Sequence, residues 1–195
     1  AMRTIAPGQS LVYRFRATHA GIWMYHCATM PMSAHIANGM FGAVVIDPPG
    51  LPKVDHSYVI LQSELYLGAD GGSADLTKLQ EEKPDAVVFN GYVNQYDHRP
   101  LTAEVGQRVR IWVLDIGPDR STSFHVVGSQ FDTVYSEGAY LLRRSAGGSQ
   151  SLALAPAQGG FVELTFPEAG DYPFISHVMI DAERGAHGIV HVSRR

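Results

Sequence analysis

Apolar and polar residues alternate over Ser10-Leu11-Val12-Tyr13-Arg14-Phe15-Arg16, which predicts a half-buried strand. A turn at Ala20-Gly21 leads into a second predicted strand over residues 22–27. A third covers residues 41–47 and is closed by Pro48-Pro49-Gly50. Residues 57–64 read as a fourth. The glycine-rich run 68–73 is a flexible break. After it, Asp75 is placed to cap a short helix through Leu79 to Lys83, stopped by Pro84. Residues 86–91, 107–113 and 123–127 are further strand candidates. Apart from the link, only residues 181–184 read as helical. Short strands set apart by Gly, Pro, Asp and Ser turns point to an all-β sandwich.

The pattern also repeats. Residues 8–46 echo residues 159–192: Leu11-Val12-Tyr13-Arg14-Phe15 answers Val162-Glu163-Leu164-Thr165-Phe166, and Ala20-Gly21 answers Ala169-Gly170. Trp23 and Tyr25 then match Tyr172 and Phe174, and Gly42-Ala43-Val44-Val45 matches Gly188-Ile189-Val190-His191, which sets Cys27 opposite Ser176. Two copies of one sandwich is the simplest account. The second copy has about the hundred residues usual for such a unit; the first has only its last half. The expected division is residues 1–66 for the C-terminal part of a first unit, 67–84 for a link with a short helix, and 85–195 for a second unit. Half a sandwich leaves its inner face and edge strands bare, so the chain is expected to be the C-terminal part of something longer.

Composition narrows the function. A net charge of -4 over 195 residues offers no basic patch for nucleic acid. No apolar run is long enough to span a bilayer. A single cysteine excludes an intrachain disulfide, so cysteine usage is silent on compartment.

That cysteine sits in the stretch with the most chemistry, Tyr25-His26-Cys27-Ala28-Thr29-Met30-Pro31-Met32-Ser33-Ala34-His35-Ile36-Ala37-Asn38-Gly39-Met40. A lone cysteine is often just a small buried hydrophobe. Here a thiol, the imidazole of His35 and the thioether of Met40 follow in order on one loop between two strands. That donor set suits a blue-copper centre, which also wants a second histidine; Met32 is a weaker rival to Met40. His26 and Cys27 are neighbours on a strand, so their side chains point to opposite faces. If Cys27 faces one metal, His26 is free to hold another, one peptide link away. In the echo, His177 follows the slot equivalent to Cys27, so His26 and His177 are candidates to meet at a shared metal across a domain or subunit boundary. His125, in Ser123-Phe124-His125-Val126-Val127, is the candidate proton donor, because an imidazole titrates near working pH. Neither a phosphate-cradling glycine loop nor a nucleophile-elbow motif is present.

These residues carry a resemblance. Residues 5–50 and 85–192 resemble the two cupredoxin domains of copper-containing nitrite reductases and their two-domain multicopper oxidase relatives. The specific part is Tyr25-His26-Cys27-Ala28, His35 and Asn38-Gly39-Met40-Phe41-Gly42-Ala43. Support comes from Val88-Phe89-Asn90-Gly91 and His177-Val178-Met179-Ile180-Asp181-Ala182. The resemblance implies two cupredoxin-like Greek-key β-sandwiches, the first present as its C-terminal half. It implies Cys27, His35 and Met40 as ligands of a type 1 copper, and His26 as a ligand of a type 2 copper completed by His177 of a neighbouring subunit in a homotrimer. It implies His125 as the active-site histidine that helps protonate nitrite, with Val127 in place of a bulkier aliphatic residue above the metal and Ser151 in place of a threonine that orients the histidine. A further type 1 histidine, a further type 2 histidine and a catalytic aspartate would lie in a segment preceding this one. The implied reaction is one-electron reduction of nitrite to nitric oxide, fed by a redox partner protein in an extracytoplasmic compartment. Two alternatives stand beside it: a laccase-like oxidase reducing dioxygen, and a non-catalytic copper electron carrier. Cys27 is followed by Ala28, His177 is preceded by Ser176, and His125 has no paired histidine, which favours a mononuclear catalytic copper over a trinuclear cluster.

Overall fold

The computed structural model describes residues 3–144 and 147–195. In chain order its elements are β1 (Gly21–His26), α1 (Met32–Ala37), β2 (Phe41–Ile46), β3 (His56–Leu65), α2 (Leu76–Gln80), β4 (Ala86–Phe89), α3 (Gln95–His98), β5 (Leu101–Glu104) and β6 (Arg108–Gly117). There follow β7 (Thr122–Val126), β8 (Thr133–Ser136), β9 (Ala139–Leu142), β10 (Ser151–Leu154), β11 (Gly159–Thr165), β12 (Gly170–Ser176), α4 (Met179–Glu183) and β13 (His187–Ser193). The architecture is all-β, as the turn-punctuated pattern predicts, with four short helices among the described residues.

Two large sheets form a sandwich, one in the order β10-β7-β12-β13-β5 and the other β4-β3-β6-β11-β8-β9. Their inner faces meet in a core that includes Val109, Ile111 and Val113 of β6 and Phe124, Phe174 and Val190 of the opposite sheet. The hairpin β1-β2 is a separate small sheet. It packs on the outer face of the six-stranded sheet, where Ile22 joins Trp112, Leu114, Ile116, Tyr135 and Phe161. Successive residues of a strand face opposite ways, so β6 sends 109, 111 and 113 into one core and 112, 114 and 116 into the other. Cover on both faces is why β6 reads as a nearly continuous apolar run rather than an alternation.

The internal echo is exact in register. In β1-β2, Trp23 pairs with Val44 and Tyr25 with Gly42; in β12-β13, the matched Tyr172 pairs with Val190 and Phe174 with Gly188. The two glycines have one physical cause. A Cβ at Gly42 would fall into the ring of Tyr25, and one at Gly188 into the ring of Phe174. Each aromatic ring lies flat across the partner strand, and only glycine leaves room for it.

Two local expectations change. Residues 10–16 form no strand; Val12, Tyr13 and Phe15 are exposed, and no strand among the described residues pairs with them. Alternation defines two faces, but a ladder also needs a neighbouring backbone for its N–H and C=O groups. Strand β3 pairs parallel with β6 and antiparallel with β4. It therefore lies in the six-stranded sheet with β6 and β11. The helix expected within residues 67–84 is present as α2, with Asp75 accepting from the amides of Thr77 and Lys78. Finally, the cysteine-to-methionine loop contains helix α1, which sequence periodicity did not reveal.

Candidate metal centre

The loop after β1 is closed by backbone bonds. The Cys27 amide donates to the Met40 carbonyl at 3.0 Å, extending the β1-β2 ladder by one pair beyond His26 and Phe41. The Met40 amide in turn donates to the His35 carbonyl at 3.0 Å, folding the strand start back onto the helix end. As a result His35 Nδ1 and Met40 Sδ stand 3.2 Å apart. Cys27, His35 and Met40, separated in sequence, are thus gathered on one short loop at the tip of the hairpin. The loop is anchored from below. Ala34 of α1 packs with Tyr66 and Leu79, and Asn38 Oδ1 accepts from the Ala74 amide at 2.9 Å. Thr29 acts on the thiol: hydrogen bonds from its backbone amide and then its side chain hold Cys27 below the ordinary cysteine range. A thiolate-favouring cysteine on the same loop as an imidazole and a thioether is the donor chemistry a soft metal such as copper takes.

His26 ends β1 with its ring exposed, and its Nδ1 lies 2.7 Å from the Cys27 carbonyl. A carbonyl only accepts, so Nδ1 carries the proton and Nε2 keeps its lone pair for a metal. His125 is built the same way. It sits on β7, 6% exposed, with Nδ1 donating to the Gln150 carbonyl at 2.5 Å. The ring of His177, just past the end of β12, lies 5.5 Å from it centroid to centroid. The His177 amide is pinned to the Ser123 carbonyl at 2.7 Å, and Ser176 beside it is fully buried with its hydroxyl 3.3 Å from that of Thr122. Val127 follows on the same edge, its amide bonded to the Pro173 carbonyl at 2.7 Å.

Two groups of nominated residues are therefore assembled separately: Cys27, His35 and Met40 on the hairpin tip, and His125 with His177 on the five-stranded sheet. Among the described residues no group of three His, Cys, Asp or Glu side chains converges on one point. His26 and His177 occupy matching ends of the two echoed hairpins and are not brought together within the chain. Ser151 is the cross-strand partner of His125, yet the bond that fixes the ring comes from the backbone of Gln150. A backbone acceptor leaves no mark in a sequence, which is why it was not foreseen. Thr29 was also missed, although a threonine two residues past a cysteine is a recognisable local hydrogen-bond donor.

The chain is similar to known copper proteins. A family model described as multicopper oxidase matches residues 3–50. Over 191 residues the chain is 37% identical to the copper-containing nitrite reductase of Neisseria gonorrhoeae, covering 94% of this chain and 48% of that protein. The chain thus spans about half the length of the curated relatives it matches. Among solved structures, the copper nitrite reductase from Nitrosomonas europaea superposes with a TM-score of 0.86 at 32% identity, over 98% of this chain and 68% of that one. A crystal structure of a multicopper oxidase superposes with a TM-score of 0.82 at 30% identity, over 97% of this chain and 62% of its own.

Proposed function

The chain belongs to the copper-containing nitrite reductase family, and from that membership we propose that it contributes a type 1 copper loop and part of a type 2 centre to the one-electron reduction of nitrite to nitric oxide. The observation that carries this reading is the approach of His35 Nδ1 to Met40 Sδ on the loop that Cys27 opens. In it, Cys27, His35 and Met40 hold the electron-accepting copper, while His26, with His177 of a neighbouring copy in a homotrimer, holds the catalytic one. When bound, copper supplies a one-electron couple at the first site and a Lewis acid at the second.

The chain's own residues supply the rest. The peptide between His26 and Cys27 is the covalent path joining the two sites. His125, its Nδ1 proton committed to the Gln150 carbonyl, presents Nε2 as the atom that carries a proton to a nitrite oxygen. Nitrite, one electron and two protons give nitric oxide and water, and His125 is the residue placed to deliver one of those protons. Val127 gives the site an apolar wall. An electron-donor protein and an extracytoplasmic location belong to the same reading. So does the division into a first sandwich represented by β1-β2 and a second that begins at β3. No helix is long and apolar enough to cross a membrane among the described residues.

Electron paramagnetic resonance of the copper-loaded protein, with the segment expected to carry the remaining copper ligands present, tests the assignment. The expected spectrum holds a type 1 and a type 2 signal of equal weight, with nitrite perturbing only the second. A spin-coupled cluster beside the type 1 signal would make the protein an oxidase; a type 1 signal alone would make it an electron carrier. In the same preparation, His125→Ala is expected to lower nitric oxide formation by about 100-fold or more, the usual contribution of a positioned acid, with copper content unchanged. Full activity in that variant would remove His125 from the proton path.

A further inference from the structure

Gln62 on β3 and Asp115 on β6 are cross-strand partners in the six-stranded sheet, with 1% and 0% of their surface exposed. Asp115 Oδ1 accepts from the Gly117 amide at 3.0 Å, and Gln62 Nε2 reaches the Ser121 carbonyl at 3.5 Å. What remains is Asp115 Oδ2 and Gln62 Oε1, both buried and both without a partner among the described residues. A carboxylate oxygen and an amide oxygen are both acceptors and cannot satisfy each other. One proton on Asp115 resolves both at once.

We propose that Asp115 is a neutral carboxylic acid donating its proton to Gln62 Oε1, and that this acid–amide pair locks the 117–121 turn that positions His125 and His177. Both side chains grip that turn, at Gly117 and at Ser121. The turn runs directly into β7, which carries His125. Its Arg120 holds both carboxylate oxygens of Asp181 at 2.7 and 2.8 Å, and Asp181 lies in α4, which follows His177. Asp115 is thus a positioning residue, and the inference rests on nothing in the copper assignment.

The surroundings favour the acid form. Glu64 on β3 and Asp181 on α4 face Asp115 with negative charge. Arg120 is committed to Asp181, and Asp119, on the same turn, adds no positive charge. The residues 155–158 that bond the Asp115 backbone contain no titratable side chain. Burial first, and then the charges of Glu64 and Asp181, push the Asp115 carboxyl up to about 8, against the lowering pull of the Gly117 and Thr122 amides. The unfolded carboxyl titrates near ~4. The folded state therefore binds the extra proton between those two values. This contribution to stability is complete below the unfolded pKa, falls as pH rises toward about 8, and is flat above it.

Infrared difference spectra of protein labelled with carbon-13 at the aspartate carboxyls, compared between wild type and Asp115→Asn, test the proposal. The asparagine amide keeps a donor toward Gln62 and an acceptor toward Gly117 at every pH. The expected result is a labelled protonated-carboxyl band near neutral pH that fades through about pH 8 and is missing from Asp115→Asn. The wild-type melting temperature should fall between weakly acid and weakly alkaline pH, and that slope should flatten in the variant. His125 and His177 ring resonances should stay put in Asp115→Asn and move in Asp115→Ala. If Asp115→Asn does not fold, Gln62→Leu serves instead, since loss of the acceptor should shift the acid band to higher frequency. No labelled acid band at neutral pH, a band that persists in Asp115→Asn, or a band indifferent to Gln62→Leu would overturn the proposal.

Discussion

Replacing Cys27 with alanine is expected to abolish the thiolate-to-copper absorption in the visible and to reduce nitric oxide formation to less than about a hundredth, a barrier increase of about 2.7 kcal/mol or more. The reasoning starts from what the substitution leaves alone. Cys27 closes the β1-β2 ladder through its backbone amide, which alanine retains, and its side chain is only partly covered. The metal-free fold should therefore change by less than about 1 kcal/mol, the range of substitutions away from packed cores. The thiolate, by contrast, has no substitute. Thr29 lowers the thiol pKa, His35 and Met40 meet on the loop that Cys27 opens, and neither an imidazole nor a thioether gives a strong charge-transfer band to copper. Absorption spectroscopy and a nitrite-dependent nitric oxide assay check the two halves separately. A variant that lost activity but kept its colour would place the electron-accepting copper elsewhere in the protein.

The split between a local loop and a pair of histidines on the five-stranded sheet also explains what could be read from the sequence. Cys27, His35 and Met40 lie within one short segment, so their order alone indicated a shared centre, and the loop geometry gathers them. The two hairpins were legible for a different reason. Tyr25 over Gly42 and Phe174 over Gly188 repeat one steric solution, and repeated solutions leave repeated letters. Sheet membership was not legible. The alternation of β3 says which of its side chains turn inward, but the parallel pairing with β6 is a contact between segments distant in sequence, and no local pattern encodes it. Residues 10–16 fail in the mirror sense: their letters specify a strand, but a strand exists only against another backbone. Helix α1 was invisible because it is less than two turns long, begins after Pro31 and buries only Ala34, too little for a helical period to emerge. His125 was found as a residue, while its orienting partner, a carbonyl of Gln150, could come only from coordinates.

The ionic end of β6 carries the second large effect. Glu163 of β11 is the cross-strand partner of Arg110, and its carboxylate is shared by two arginines. Arg110 donates to Oε1 from Nε at 2.8 Å and Nη2 at 2.5 Å; Arg108 donates to Oε2 from Nε at 3.0 Å and Nη2 at 2.7 Å. Glu163 and Arg110 side chains are each 6% exposed. Arg108 has Asp132 as a second acceptor, at 2.6 and 2.5 Å. Beyond Glu163, Arg110 has the Pro52 carbonyl at 2.7 Å. That last bond ties the link between β2 and β3 to the sheet. Alanine at Glu163 leaves Arg110 as a buried cation with no counter-charge, so the expected loss is about 3–5 kcal/mol. For a chain of this size that is a fall of roughly 6–20 °C in melting temperature. Glu163→Gln keeps the shape and one acceptor oxygen but removes the charge, and it should fall between wild type and alanine. Lys83→Ala supplies the contrast, since its pair with Glu81 is largely exposed and should be worth less than about 1 kcal/mol. Thermal and denaturant unfolding of the three variants measures the order directly. If Glu163→Ala melted within the range of Lys83→Ala, water would have to reach the arginines freely, and the packing of the link against β6 would have to be looser than the bond from Arg110 to Pro52 describes.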